Sequence, residues 1–215
     1  MFKIFASALF SLSILFTILL ASMPVYVSIE QLIKIEKKYG SKAKQRVLLW
    51  DQMLQSAKDK NTLEKLKIVN DFFNKITYKR DSVHWKQNDY WASPFEFLGT
   101  GAGDCEDYAI AKYFALRTLG IPDEKLKITY VTLKRSNTKF EEAHMVLNYY
   151  HKEGKPPIVL DNINKKLKLA TARTDLKPIY SFNAAGLWKA QNKGKTEESA
   201  GSNNLKNWKS LMERI

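Results

Sequence analysis

Hydrophobic residues recur every three or four positions in the early part of the chain, a spacing typical of amphipathic helices. A capping box at Ser28 predicts the start of a first helix that ends at Gly40. The same periodicity predicts a second helix over residues 42–58. A third is predicted to begin near Asn61, where Glu64 has capping-box spacing. We interpret these helices as a scaffold.

The pattern changes twice after the third helix. Residues 78–103 are irregular and rich in aromatic side chains, apart from a short helical turn predicted at Ser93. Residues 104–119 are strongly helical. Beyond them the period becomes two, which predicts strands over residues 127–134, 143–150, 157–161 and 177–182. Helices followed by strands predict one α+β domain whose sheet is antiparallel.

The two ends of the chain differ from this central domain, which is expected over residues 28–190. An N-terminal lysine precedes an uncharged run, so residues 1–27 are predicted to be a signal peptide or a retained membrane anchor. Either segment would place the domain outside the cytoplasm. Residues 191–215 are predicted to form a flexible linker followed by a short amphipathic stretch from residue 205.

The composition is strongly basic. Lys and Arg number 35 against 22 Asp and Glu, which gives a formal net charge of +13. The lysines are scattered over the chain, and no helix-turn-helix, zinc-finger or aromatic-basic RNA pattern accompanies them. We therefore interpret the charge as a solvated surface and expect no nucleic acid partner.

Cys105 is the only cysteine, and in an exported protein an unpaired cysteine is a candidate for chemistry. It falls in the first turn of a predicted helix, where free N–H groups and the helix dipole favour a thiolate. His144 on one strand is a candidate base, and Asp161 at the end of the next strand is a candidate orienting carboxylate. The alternative is a buried, inert cysteine beside a structural histidine and a turn-capping aspartate.

These residues belong to longer motifs: N-D-Y-W at 88–91, G-D-C-E-D-Y-A at 103–109, A-H-M-V at 143–146 and L-D-N at 160–162. Together they resemble the bacterial transglutaminase-like cysteine proteinases. The resemblance implies a papain-like, transglutaminase-like α+β fold, in which the nucleophile begins a central helix that packs on an antiparallel sheet. It also implies Cys105 as the nucleophile, His144 as the general base and Asp161 as its orienting carboxylate, in a proteinase domain over residues 28–190.

Three acidic residues surround the cysteine: Asp104, Glu106 and Asp107. Carboxylates beside a thiolate raise its pKa by like-charge repulsion, and a cation held by them would remove that conflict. Calcium suits several carboxylate ligands on a flexible loop, although acidic residues at a helix start also complement the helix dipole. The resemblance implies calcium as the cofactor, with these three residues as ligands. Backbone carbonyls, water or Asp89 are candidates to complete the shell.

An oxyanion-stabilising group is also expected near the nucleophile. The backbone N–H of Cys105 is one candidate donor, and the indole N–H of Trp85 or Trp91 is a second. We prefer Trp91 because it lies nearer to the nucleophile in the sequence, while core packing is the alternative role for either tryptophan.

The resemblance implies a calcium-dependent periplasmic endopeptidase that cleaves a large surface adhesin near its N-terminus. It further implies control of biofilm detachment through an inner-membrane cyclic-di-GMP receptor that sequesters the protease. One alternative is a transglutaminase or acyltransferase that uses the same triad. Another is a non-enzymatic, calcium-responsive binding module in which Cys105 is inert.

Overall fold

The computed structural model describes residues 25–135, 140–189, 198–203 and 205–215 of the 215-residue chain. Its α-helices are α1 Ile29–Tyr39, α2 Ser41–Ala57, α3 Thr62–Phe73, α4 Asp81–His84, α5 Pro94–Thr100, α6 Cys105–Thr118 and α7 Lys206–Met212. Its strands are β1 Thr77–Tyr78, β2 Ala102–Gly103, β3 Leu126–Lys134, β4 Glu141–Tyr149, β5 Ile158–Leu160, β6 Lys168–Leu169, β7 Leu176–Phe182, β8 Leu187–Lys189 and β9 Glu198–Ser199. Helices come first and the sheet follows, as the sequence predicts.

The main sheet has seven strands in the order β6-β5-β4-β3-β7-β8-β9, and every neighbouring pair is antiparallel. The longest pairing joins β3 to β4, from Leu126 opposite Tyr149 to Lys134 opposite Glu141. A separate parallel pair, β1 with β2, lies directly before the head of α6. The predicted α+β fold with an antiparallel sheet is therefore confirmed.

Local sequence explains where several helices begin. The side chains of Ser28, Asn61 and Ser93 each accept a hydrogen bond from the backbone N–H three residues later. The Gln or Glu side chain at that later position accepts one in turn from the backbone N–H of the capping residue. These capping boxes satisfy backbone groups that a helix terminus leaves unpaired. In α5, Pro94 also occupies the first helical position, where the missing N–H costs nothing.

Helix α6 is the centre of the molecule. Most of its side chains are buried, among them Tyr108, Ile110, Tyr113 and Leu116. It packs against β4 and β3 on one side and against α3 and α5 on the other. Because α6 is surrounded by apolar partners, its first residue has a fixed position relative to the sheet.

The predicted strands agree with β3, β4, β5 and β7 to within about two residues, which is the usual uncertainty of element ends. The predictions missed the short strands β6, β8 and β9, the β1–β2 pair and the single-turn helix α4. Strands of two or three residues carry too few alternating positions to produce a readable period. They form because a neighbouring strand offers its free backbone groups.

The ends of the chain are described in part. Residues 1–24 of the predicted export segment lie outside the described residues, and no described helix has the length and apolarity needed to span a bilayer. The N–H groups of Val25 and Tyr26 donate to the buried Asp51 of α2, and Val27 is buried. Of the predicted linker, residues 191–197 and 204 are not described, while Glu198–Ser199 forms β9 against β8.

We expect Leu54→Ala to lower the free energy of unfolding by about 2–5 kcal/mol, because Leu54 is fully buried and truncation leaves a cavity. Urea denaturation of the folded domain would measure the change. Leu49→Ala on the same helix is the matched control, since Leu49 is 51% exposed and its truncation is expected to cost about 0.5 kcal/mol or less. Equal losses for the two variants would contradict the packing described here.

Candidate active site

One cavity of about 690 Å³ brings together residues from both halves of the fold. Its wall includes Cys105 at the head of α6, His144 of β4, and Tyr130 and Tyr180 of β3 and β7. The two tyrosine rings stack with their centroids 5.2 Å apart. The predicted nucleophile and the predicted base therefore face one space.

His144 and Asp161 form a buried pair. Nε2 of His144 lies 2.9 Å from Oδ1 of Asp161, and both side chains are almost completely buried. The backbone N–H of Ile163 donates to the same carboxylate oxygen at 2.9 Å. This arrangement fixes the imidazole ring and leaves Nδ1 as the ring nitrogen available to a nucleophile.

Arg173 holds the other side of the Asp161 carboxylate. Its Nη2 lies 2.7 Å from Asp161 Oδ2 and 2.7 Å from Asp175 Oδ2, and the arginine is itself buried. Burial alone would raise the pKa of Asp161. The hydrogen bond and charge of His144, the Ile163 N–H and the charge of Arg173 outweigh burial and hold that pKa well below its usual range. Asp161 is therefore kept ionised.

A second buried contact ties the Asp161 segment to helix α6. The amide of Asn74 donates from Nδ2 to the backbone oxygen of Asp161 at 2.8 Å, and its Oδ1 accepts from Lys112 Nζ at 2.8 Å. Lys112 lies two turns after Cys105 on α6. Burial lowers the pKa of Lys112 to about 7. Asn74 thus links helix α6, which begins with Cys105, to the loop that carries Asp161.

The Cys105 thiol lies in an acidic environment. Its Sγ donates to Oε2 of Glu106 at 3.0 Å, and the side chain is partly buried. Burial, followed by the charge of Glu106 and of Asp104, raises the pKa of the thiol well above its ordinary value. A backbone hydrogen bond from Met145, the residue after His144, acts in the opposite direction. Without further positive charge, this environment favours the neutral thiol.

The acidic residues beside Cys105 form a compact cluster that we call the carboxylate cluster: Asp81, Asp89, Asp104, Glu106 and Asp107. Ligand oxygens of Asp81, Asp104 and Asp107 lie within 4.8 Å of one another, as do those of Asp81, Asp89 and Glu106. Asp81 Oδ1 and Asp104 Oδ1 are buried and have no hydrogen-bond partner among the described residues. Burial raises the pKa of Asp81 to about 7 and also raises those of Glu106 and Asp107. Carboxylate oxygens that accept no hydrogen bond are suitable ligands for a hard divalent cation.

Asp107 also has a structural role within this cluster. Its two oxygens accept from the backbone N–H groups of Ala92 at 2.8 Å and Asp104 at 3.2 Å. A side chain at position 103 would overlap the Asp107 carboxylate, so Gly103 is required by space alone. The glycine of the G-D-C-E-D motif therefore allows a buried carboxylate to hold the loop before the nucleophile.

The structure places the two candidate tryptophans differently. Trp91 lines the cavity, but its indole N–H donates to Asp89 Oδ1 at 2.9 Å, and its ring stacks on Phe182 at 5.2 Å. Trp85 is absent from the cavity wall, and its Nε1 is buried without a partner among the described residues. In this arrangement neither indole N–H donates to Cys105, and the oxyanion role of Trp91 stays a prediction.

Sequence reasoning missed four residues of this site: Asp81, Arg173, Lys112 and Asn74. Asp81 and Arg173 lie in segments without periodicity, so no pattern marked them. Lys112 did carry a signal, because a lysine within the apolar stretch of a buried helix needs a partner. The partner itself, Asn74, lies 38 residues away and is recognised only in the folded chain.

A cysteine at a helix head shares one cavity wall with a strand histidine that a buried aspartate holds, which is the arrangement that a cysteine hydrolase requires. The model of the bacterial transglutaminase-like cysteine proteinase family, BTLCP, matches residues 38–192. The chain belongs to this family, and it is a cysteine proteinase. A comparison with curated proteins found no match.

Solved structures of LapG from Legionella pneumophila are similar to the chain over most of its length. An EGTA-treated form is 39% identical with a TM-score of 0.74, and the alignment covers 87% of this chain and 97% of that chain. A second structure is 40% identical with a TM-score of 0.74 and coverages of 87% and 96%. A calcium-bound form is 40% identical with a TM-score of 0.72 and coverages of 87% and 99%. The resemblance inferred from the motifs is thus confirmed.

We expect Arg173→Ala to destabilise the protein by about 3–5 kcal/mol near neutral pH, because it leaves the buried Asp161 without its cationic partner. The folded-state pKa of Asp161 is depressed, so the contribution of this pair is present above the ordinary aspartate value of about 4 and is lost as the pH falls. The stability difference between wild type and variant is therefore expected to shrink on acidification.

Urea denaturation between pH 3 and 7 would measure this difference. Lys67→Ala is the control, because it removes a cation from the exposed Lys67–Asp71 pair and is expected to cost no more than about 0.5 kcal/mol. An Arg173→Ala loss as small as that of the control, or one independent of pH, would contradict the assigned role.

Proposed function

We propose that this protein is a calcium-dependent periplasmic cysteine endopeptidase that acts through a Cys105–His144–Asp161 triad. One observation carries the proposal: the buried His144–Asp161 pair and Cys105 share the wall of one cavity. Because the chain belongs to a cysteine proteinase family, we assign peptide-bond cleavage to that cavity. The predicted export segment supports the periplasmic location.

The two reacting groups of the triad come from different parts of the fold: Cys105 from helix α6 and His144 from the sheet. The Cys105 thiolate attacks the scissile carbonyl carbon, and the imidazolium of His144 donates its Nδ1 proton to the leaving amine. Water then attacks the thioester while His144 accepts its proton, which releases the carboxylic acid and restores the thiolate–imidazolium pair. Asp161 holds Nε2 throughout and stabilises the imidazolium.

The oxyanion of the tetrahedral intermediate needs donors placed before the reaction begins. Cys105 is the first residue of α6, so its backbone N–H belongs to the set that a helix leaves unpaired. The helix dipole adds partial positive charge at the same place. We assign the Cys105 N–H as one donor.

Calcium is the proposed cofactor, with Asp104, Glu106 and Asp107 as predicted ligands and Asp81 and Asp89 as further members of the carboxylate cluster. The two buried oxygens without partners, on Asp81 and Asp104, support a cation at this position. When bound, a divalent cation supplies the positive charge that allows these carboxylates to stay ionised beside a thiolate. The calcium-bound form of LapG from Legionella pneumophila adds support from a similar protein.

The proposed substrate is an extended segment near the N-terminus of a large surface adhesin, and its cleavage would control biofilm detachment. The stacked pair Tyr130–Tyr180 and the Trp91 ring line the cavity and favour small side chains beside the scissile bond. An inner-membrane cyclic-di-GMP receptor is the proposed regulatory partner. This partner is proposed from the resemblance of the motifs around Cys105, His144 and Asp161 to the bacterial transglutaminase-like cysteine proteinases.

We expect Cys105→Ala to abolish cleavage of a recombinant N-terminal adhesin fragment, and His144→Ala to lower kcat/KM by about a thousandfold or more. His151→Ala is the matched control, because His151 is exposed and is expected to leave the rate unchanged. Electrophoresis of the fragment over time gives the rates. Wild-type cleavage by Cys105→Ala would refute the proposed nucleophile.

Mass spectrometry of the products separates hydrolysis from acyl transfer. Two fragments whose masses sum to that of the substrate plus one water support the peptidase. An amine adduct or loss of ammonia would instead establish the transglutaminase alternative, which uses the same triad.

Calcium is expected to raise the thermal stability of the wild type, since a ligand that binds only the folded state adds about 2.7 kcal/mol at a hundred times its Kd. Asp104→Asn is expected to reduce this shift, because it removes charge from an oxygen that has no hydrogen-bond partner in the part of the chain that the structure describes. The exposed Glu124→Gln is the control and is expected to retain the full shift. A calcium-induced shift that is identical in all three proteins would remove Asp104 from the ligand set.

A further inference from the structure

Helix α7 contacts a wall of the active-site cavity. We use the term cleft wall for residues 89–91, of which Asp89 and Trp91 line the cavity. The matched family region ends at residue 192, before α7 begins at Lys206. The contacts below are therefore made by a segment outside that region.

Two side chains hold Asp89 from opposite sides. Asn207 of α7 donates from Nδ2 to Asp89 Oδ2 at 2.6 Å, while Trp91 donates from Nε1 to Asp89 Oδ1 at 2.9 Å. Both carboxylate oxygens are thereby engaged. Asn207 therefore fixes the carboxylate that in turn orients the Trp91 ring.

Arg214, just after α7, holds the other two residues of the cleft wall. Its Nη2 donates to the backbone oxygen of Trp91 at 2.7 Å, and its guanidinium carbon lies 4.8 Å from the centre of the Tyr90 ring. Its Nε also lies 3.6 Å from Glu96 Oε2. The same oxygen accepts from the backbone N–H of Ser93, the N-cap of α5. One guanidinium group thus joins the chain end to the backbone and a ring of the cleft wall.

The apolar side of α7 anchors these polar contacts. Trp208 is buried, stacks over Phe114 of α6 with centroids 6.0 Å apart, and meets the edge of Phe182 at 5.4 Å. Phe182 stacks in turn on Trp91. A helix that only covered the core would need Trp208 and Leu211, but it would not need Asn207 and Arg214 directed at the cleft wall.

The cleft wall also connects to the carboxylate cluster. The N–H of Tyr90 donates to Asp81, and the N–H of Ala92 donates to Asp107. Residues 89–92 are therefore held between α7 on one side and the cluster on the other. A change in the contacts on the α7 side alters how firmly Trp91 is placed over the cavity.

We infer that α7 is a positioning element of the substrate cleft, in which Asn207 and Arg214 set the placement of Asp89 and Trp91 for binding an extended polypeptide. The inference rests on the proposed endopeptidase function for its substrate. Neither residue touches the reacting atoms, so both are positioning residues. The effect is expected mainly in substrate binding, while the Cys105–His144–Asp161 arrangement stays intact.

The test compares wild type with Asn207→Ala/Arg214→Ala and with Lys209→Ala, which removes an exposed cation from the same helix. Removing two charge-assisted hydrogen bonds is expected to raise KM for an adhesin fragment about tenfold with kcat changed less than about twofold. Arg214→Lys in the Asn207→Ala background is expected to recover part of the loss, since it keeps the charge and loses the fork geometry. Assays are run with saturating calcium.

A second measurement does not depend on catalysis. Hydrogen exchange of the Tyr90 and Ala92 amides is expected to accelerate about tenfold in the double variant and to stay at the wild-type rate in Lys209→Ala. Wild-type exchange together with wild-type KM in the double variant would overturn the inference. If wild type itself cleaves no polypeptide, the proposed function fails, and the exchange rates still decide whether α7 holds the cleft wall. Truncation of α7 is unsuitable, because Trp208 belongs to the core.

Discussion

The structure depends on how it compensates buried negative charge around its cavity. A buried carboxylate must be paired, because desolvation of a charge is costly. Asp161 is paired by the protein itself, with His144 on one oxygen and Arg173 on the other. The carboxylate cluster beside Cys105 is treated differently, since its members Asp81, Asp104, Glu106 and Asp107 form no ion pair with Lys or Arg among the described residues. The negative charge is thus compensated by protein groups on one side of the cavity and is left without a protein cation on the other, among the described residues.

The uncompensated carboxylates on one side of the cavity explain why the pKa of the Cys105 thiol is raised. The head of α6 favours a thiolate through its dipole, but Glu106 and Asp104 act against it at closer range, and the thiol pKa is raised. A group placed 3.0 Å from the sulfur outweighs a dipole whose effect is modest and falls off within a turn. Reactivity of Cys105 is therefore coupled to whatever neutralises the cluster. The proposed calcium dependence follows from this electrostatic conflict.

The cavity is assembled from segments that are distant along the chain. Asn74, after α3, joins Lys112 of α6 to the loop that carries Asp161. At the opposite end, Asn207 and Arg214 join the C-terminal segment to the cleft wall. The Asn74 contacts are buried, where an unsatisfied polar group would cost stability, whereas the Asn207 and Arg214 contacts lie at or near the surface. Both connections hold segments that line the cavity, which include Asn162 and Ile163 on one side and Asp89 and Trp91 on the other.

Elements that carry local signals could be predicted from the amino-acid sequence. The capping boxes at Ser28, Asn61 and Ser93 and the alternation in β3 and β4 act within a few residues, and the same is true of the helix start that carries Cys105. The order of Cys105, His144 and Asp161 followed from those elements and from the motifs around them. Tertiary structure alone decided the rest, because the remaining features depend on partners far away in the chain. Arg173 pairs with Asp161 across a loop, Asp81 joins the carboxylate cluster from a single-turn helix, and the Trp91 N–H donates to Asp89, which also accepts from Asn207 of α7. A periodic pattern records which face of an element is buried, but it carries no information about which polar group will meet a buried charge.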